Sequence, residues 1–186
     1  MLLVNAMVDA STSQGCLRRM TAADLENVLK LRNHAEVRRY MLTQHEISRQ
    51  EHEAWFDRAS QNPSLDLLVL EIDEECCGFV QFKETNYQGV VDWGFYAAPD
   101  APKGTGRKLG LAALNHVFKK ENLHKICGQA LHWNQPSIEF HKSLGFAQEG
   151  ILRDQHFDGD AYHNLICFGL LKHDWVAKES LTGINK

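Results

Sequence analysis

A single domain with a mixed α/β layer arrangement is what this chain of 186 residues predicts, and three observations carry it. Three strand-like runs follow one another at Leu67 to Asp73, Cys77 to Glu84 and Gly89 to Tyr96, divided by acidic or Asn/Gly turns. A glycine-rich turn, Lys103-Gly104-Thr105-Gly106-Arg107, then leads into a helix-like run at Leu109 to Glu121. After an apolar run at His124 to Leu131, two further strand-like runs, Ala147 to Phe157 and Ala161 to Leu171, flank Asp158-Gly159, a tight-turn dipeptide.

The remaining elements follow in order. Cys16 to Met20 reads as a first strand. Thr21 suits an N-cap with Asp24 three residues on, and Leu25, Val28, Leu29 and Leu31 repeat at helical spacing until Asn33-His34. A second helix spans about Ser48 to Ser60, opened by the capping-box pair Ser48 and Glu51 and stopped by Asn62-Pro63. Adjacent Cys76 and Cys77 point to opposite faces of their strand. Ser137 to Leu144 reads as a short helix. The order is therefore strand, two helices, three strands, helix, strand, helix, two strands, a mixed α/β (α+β-like) architecture. Neither repeat nor linker interrupts it, so residues 15–178 are read as one domain, with a disordered or extended leader over 1–14 and a tail over 179–186.

Composition narrows the function. A hydrophobic content of 44% with 24% charged residues is that of a soluble globular protein, and a formal charge of −4 argues against a nucleic-acid surface. No apolar run reaches membrane-spanning length, and Met1 to Gly15 lacks the basic start of a signal peptide. The five cysteines include no CxxC and no ligand-spaced His/Cys cluster. A disulfide scaffold and a metal site are both set aside, and the chain reads as a reduced cytoplasmic protein.

The glycine turn is a cradle for phosphate. A helix start leaves N–H groups unpaired at the positive end of the dipole, Gly104 and Gly106 let a ligand approach, and Lys103, Arg107 and Lys108 add charge. It is neither a Walker loop, since no Gly-Lys-Ser/Thr occurs, nor a dinucleotide fingerprint, since Gly104, Gly106 and Gly110 give GxGxxxG. A second block, Asn134-Gln135-Pro136-Ser137-Ile138-Glu139-Phe140-His141-Lys142-Ser143-Leu144-Gly145-Phe146, stands one helix and one strand downstream.

Together the two blocks resemble the acetyl-CoA signature of the GNAT N-acetyltransferase superfamily. Gly104 and Gly106 match its [Q/R]xxGxG/A loop, with Ala101 where Gln or Arg is usual. Asn134, Ser137, Phe140, Gly145 and Phe146 match its second block, with His141 where Tyr is usual. The resemblance covers roughly residues 15 to 178. It implies a central, mostly antiparallel sheet of about seven strands flanked by helices and splayed at the acetyl-CoA site.

What the resemblance implies for chemistry is direct acetyl transfer to a primary amine in a ternary complex. Such transfer needs a neutral amine, donors for the oxyanion and a proton for the departing thiolate. The strand Val90 to Tyr96 supplies the splay, with Gly94 suited to a bulge or a close ligand approach, or equally to strand packing. Phe95, Tyr96, Lys103, Gly104, Thr105, Gly106, Arg107, Asn134, Ser137 and Lys142 are the expected acetyl-CoA contacts. Asn134 equally suits helix capping, and Lys142 a plain surface role. His141 is a candidate acid for the thiolate, its rival role being packing near the sulfur. Asp92 is a candidate base, with Glu84 and His52 as alternatives. No cysteine stands in a nucleophile setting.

For the acceptor, Leu31-Arg32-Asn33-His34 and His52-Glu53-Ala54-Trp55 resemble the GNAT subgroup that acetylates a UDP-linked 4-amino sugar in pseudaminic acid biosynthesis. By that resemblance Arg32 and Lys83 meet a diphosphate, while Met41, His52, Trp55 and Tyr96 wall the sugar or base. Core packing is the rival role of Met41 and Trp55, and a helix-end charge that of Arg32. The alternative acceptors are a ribosomal-protein or peptide N-terminus, since the second block and the Glu149-Gly150-x-x-Arg153 strand also resemble the acetyltransferases that act there, or a polyamine. A non-catalytic acetyl-CoA-binding module is the reading from another class. The expected partners are acetyl-CoA and a small amine, without nucleic acid or membrane, and a homodimer is compatible with the sequence.

Overall fold

The computed structural model describes residues 15–182. The leader expected over 1–14 and the last four residues of the tail lie outside them. Seven strands form one sheet in the order β1-β2-β3-β4-β5-β7-β6. They are β1 (Cys16–Arg19), β2 (Leu65–Ile72), β3 (Glu75–Glu84), β4 (Val90–Ala97), β5 (Lys125–Leu131), β6 (Ala147–Phe157) and β7 (Tyr162–Leu171). Every neighbouring pair is antiparallel except β4 with β5.

Six helices accompany the sheet: α1 (Leu25–Asn33), α2 (Ala35–Arg38), α3 (Arg49–Ser60), α4 (Thr105–Phe118), α5 (Gln135–Leu144) and α6 (Lys172–Thr182). Their starts follow from local chemistry. The Thr21 amide donates to Asp24 Oδ2 at 2.8 Å across a 3-10 turn ahead of α1. Ser48 Oγ accepts from the Glu51 amide at 3.2 Å, while Glu51 Oε2 accepts from the Ser48 amide at 2.8 Å. Asn134 Oδ1 caps α5 by accepting from the Ser137 amide at 3.1 Å.

The sheet has a core on each face. Val28, Phe56, Ala59, Val69 and Phe79 join α1 and α3 to one face. Leu68, Leu70, Val80, Trp93, Leu109, Leu114, Val117, Ile126, Leu144, Phe168 and Trp175 join the later helices to the other. Cys77 belongs to the second core and Cys76 packs against the first, as strand alternation requires. Burial of each such aliphatic side chain contributes about 1.5–3 kcal/mol. Arg18 of β1 fastens the edge: both its Nη atoms reach the buried Asp24 carboxylate at 2.8 Å, and its Nε reaches Glu71 at 2.8 Å.

Three elements depart from the sequence expectation. Helix α4 begins at Thr105 instead of Leu109, because Gly104 itself is the N-cap, at φ 96°. The four-residue α2 follows His34, whose Nδ1 accepts from the Glu36 amide at 3.2 Å. Regular structure also continues past Leu171 as α6, anchored by Trp175, which is 1% exposed. No helix among the described residues is long and apolar enough to cross a membrane.

Candidate active site

β4 and β5 pair only at Val90, Val91 and Asp92, opposite Lys125, Ile126 and Cys127. Beyond that point β4 continues along β3 to Ala97, and β5 continues along β7 to Leu131. The two strands therefore diverge, leaving the facing backbone edges of 93–97 and 128–131 without a ladder between them. This is the expected splay. The bulge considered at Gly94 is absent, since the β3/β4 register runs unbroken from Gly78↔Ala97 to Glu84↔Val91. A Cβ at Gly94 would meet only Gln81, at 3.5 Å, so no protein contact demands glycine there.

A cavity of about 710 Å³ opens along the divergence. Of the residues singled out from the sequence, Asp92, Gly94, Phe95, Tyr96, Asn134, Ser137 and His141 line it, and Arg32, Met41, His52 and Trp55 line it from the other side. The sequence reading missed Gln81, Trp93, Gly128 and Gln129 among the lining residues; the cavity follows the open backbone edges, so consecutive residues of β4 and of β5 line it and alternation along the strands does not single them out. Lys83, Lys103, Gly104, Thr105, Gly106, Arg107 and Lys142 do not line it. Lys83 lies opposite Asp92 at the outer end of β3, and Lys142 pairs with Glu139 at 3.0 Å on the surface of α5.

The glycine turn sits at the start of α4. Helix geometry leaves the amides of Gly106 and Arg107 without carbonyls one turn back. No heavy atom lies within 4 Å of where a Cβ on Gly104 or Gly106 would stand, so the approach to those amides is open. Thr105 is different. Its amide and its hydroxyl both donate to the Pro102 carbonyl, at 3.1 and 2.7 Å, and its side chain is buried. It braces the loop from within. An open helix start with Lys103 and Arg107 exposed beside it fits the phosphates of CoA, and the splay fits its thioester arm.

On the acceptor side, Arg32 Nη2 donates to the Thr43 carbonyl at 2.7 Å, while Nη1 is buried without a hydrogen-bond partner. Burial pulls this guanidinium below its ordinary pKa. His52 is 5% exposed and stacks on Trp55 at 5.1 Å between centroids. Burial, then the Arg32 charge, lowers its pKa, which keeps the imidazole neutral and able to accept a proton. Burial pushes the Tyr96 phenol and the Cys127 thiol up. Glu51 is held ionised, at about 2, chiefly by the Ser48 amide.

His141 sits at the apex of the divergence and is 1% exposed. The indole N–H of Trp93 donates to its Nε2 at 3.1 Å, and its Nδ1 lies 2.8 Å from the Ser137 carbonyl. An indole nitrogen only donates, so Nε2 is the acceptor and Nδ1 carries the proton. The ring stacks on Phe168 at 4.5 Å and 9°, and burial lowers its pKa to about 4. A sheet split beside an open helix start, with a cavity walled from both halves of the chain, defines an acyl-CoA-dependent transferase.

The family follows from comparison. Residues 15–147 match the acetyltransferase (GNAT) domain, and the chain belongs to that family. The spermidine N(1)-acetyltransferase of Escherichia coli K12 is 27% identical over 169 residues, which cover 90% of this chain and 91% of that protein. A prophage-derived uncharacterized N-acetyltransferase of Bacillus subtilis is 27% identical over 124 residues, 65% of this chain and 70% of that one. Among solved structures, the spermidine N-acetyltransferase of Vibrio cholerae in complex with CoA and spermine superposes with a TM-score of 0.79 at 25% identity, covering 88% of this chain and 98% of that one. The chain is an N-acetyltransferase whose acetyl donor is acetyl-CoA.

Proposed function

We propose that the chain transfers acetyl directly to the primary amine of a small molecule, and that the acceptor is a polyamine of the spermidine class. The observation that carries the transfer is the shared cavity, lined by Arg32, Met41, His52 and Trp55 on one side and by Gly94 to Tyr96, Asn134 and Ser137 on the other. The E. coli and V. cholerae relatives, matched along nearly their whole length, support the polyamine. They favour the alternative raised from the sequence over the nucleotide sugar.

Acetyl-CoA, when bound, supplies the activated acetyl group. In this reading the amides at the start of α4, with Lys103 and Arg107, hold its phosphates, and Asn134 and Ser137 border its arm. The free β4 edge beside Gly94 and Phe95 offers N–H donors for the developing oxyanion. His52, neutral and inside the cavity, takes the acceptor's proton, with the exposed carboxylate of Asp92 as the other candidate base. Cys127 also lines the cavity, but burial keeps it a thiol, which supports direct transfer over an acetyl-enzyme.

A second reading has one specific observation in its favour. The buried, partnerless Nη1 of Arg32 suits an acceptor that carries an anion, such as the diphosphate of a UDP-amino sugar, and repels a polycation. Thiol release from acetyl-CoA, measured with spermidine, a UDP-4-amino sugar and peptides with free N-termini, separates these. Turnover with spermidine supports the polyamine; turnover with the UDP-sugar alone replaces it by the second reading. Acetyl-CoA binding without turnover on any of them would leave a binding module.

A further inference from the structure

We propose that Trp93, His141 and Gly128 form a strut at the apex of the β4/β5 divergence, and that His141 acts in acetyl transfer as a positioning residue through Trp93, not as the acid for the thiolate; this rests on the transfer reading above. The last paired residues of the two strands are Asp92 and Cys127. Trp93 and Gly128 are the next residues along each strand, so the ring pair stands where the ladder ends. Space there is filled to contact. A Cβ on residue 128 would lie 2.7 Å from Trp93 Nε1 and would overlap His141 Nε2, so only glycine admits the pair.

The hydrogen bonds fix what the imidazole can do. Its Nε2 lone pair is occupied by the Trp93 indole, and its one proton, on Nδ1, points at the Ser137 carbonyl inside α5. Neither nitrogen offers a proton to the cavity. Protonating Nε2 would set two N–H donors against each other and put a charge among Phe95, Phe146 and Phe168. The bond instead ties β4 to α5 across the apex. Trp93 is also held at 5.0 Å against Phe146 and at 4.7 Å against Phe95, the next residue but one on β4. Its placement therefore aims the β4 edge that faces the thioester. Without His141, the buried indole N–H loses its partner, and the ring is held by its aromatic contacts alone beside the space above Gly128.

The test combines a spectroscopic signature with a rescue. Imidazole ¹⁵N shifts of the histidine-labelled protein, with and without CoA, are expected to show His141 as the neutral Nδ1–H tautomer between about pH 6 and 8, far above its lowered pKa. His141→Phe and Trp93→Phe are expected to weaken CoA binding, measured by calorimetry, about tenfold, the scale of one buried hydrogen bond. His141→Gln, whose amide oxygen accepts from the indole but cannot titrate, is expected to stay within about threefold of the parent. An Nε2–H or charged His141, or a Gln variant whose thiol release falls as far as the Phe variant's while CoA affinity is unchanged, overturns the strut. Failure of the parent to bind CoA would sink the transfer reading instead, and the tautomer would still judge the strut.

Discussion

Gly110 of α4 and Phe140 of α5 touch backbone to ring: a Cβ added at 110 would lie 2.7 Å from Phe140 Cζ and 2.8 Å from Leu144 Cδ1. Alanine is worth about 1 kcal/mol more than glycine inside a helix, but overpacking costs about 1–3 kcal/mol. Phe140 and Leu144 are held in place by the core, so the clash wins. Gly110→Ala is expected to lower the melting temperature by a few degrees; a rise would mean that α5 shifts freely.

Gly106 gives the opposite balance. It lies in the first turn of α4 with open space above it, so Gly106→Ala is expected to leave stability unchanged or raise it by up to about 1 kcal/mol. The added methyl stands where a phosphate would approach the amides. Calorimetry is expected to show CoA affinity reduced at least tenfold in a protein that melts no earlier. Unchanged affinity would remove the α4 start from the binding site.

Arg32 separates the two acceptor classes. In Arg32→Gln the charge is lost, while a side-chain donor to the Thr43 carbonyl is retained. With a polyamine acceptor, KM for spermidine is expected to fall or stay level. With an anion-bearing acceptor, KM is expected to rise about tenfold or more, since a hydrogen bond between charged groups contributes about 1.5–3 kcal/mol. Steady-state kinetics on the productive acceptor decides.

His141 sets a pH dependence of stability. Its folded pKa is about 4 against an unfolded value of 6.5, so the unfolded chain binds more protons between those limits. Stability is therefore complete above about pH 6.5 and is lost as pH falls towards 4, by about 3 kcal/mol. Denaturant titrations at pH 7 and pH 4.5 are expected to differ by less in His141→Phe than in the parent. An equal loss in both would assign the acid sensitivity to other groups.

What was legible in the sequence had local causes. Capping pairs such as Ser48 with Glu51, the alternation that sends Cys76 and Cys77 to opposite faces, and the two glycine-bearing blocks are each written within a few residues. The start of α4 was misplaced because Gly104 reads as loop, although its positive φ makes it the cap of the helix it precedes. Helix α2 is too short to show a period, and α6 follows β7 without a break. The chemistry of His141 was illegible for a deeper reason. Its acidity is set by burial, and the Trp93, Phe146 and Phe168 rings that surround it are brought there only by the fold. Lys83 was expected at the site from the acceptor resemblance, but it stands across from the cavity-lining Asp92 and does not itself line the cavity.

The three-rung ladder between β4 and β5 is also a seam. On one side hangs everything from β1 to β4, on the other β5 to β7, and among the described residues the ladder between these two leaves of the sheet runs only from Val90 to Asp92, extended by the Gly89 carbonyl, which accepts from the His124 and Lys125 amides at 2.8 and 3.0 Å. A molecule seated in the gap would touch both leaves and work as a clasp. Turnover would then alternately fill and empty a slot whose closed end is the Asp92–Cys127 pair.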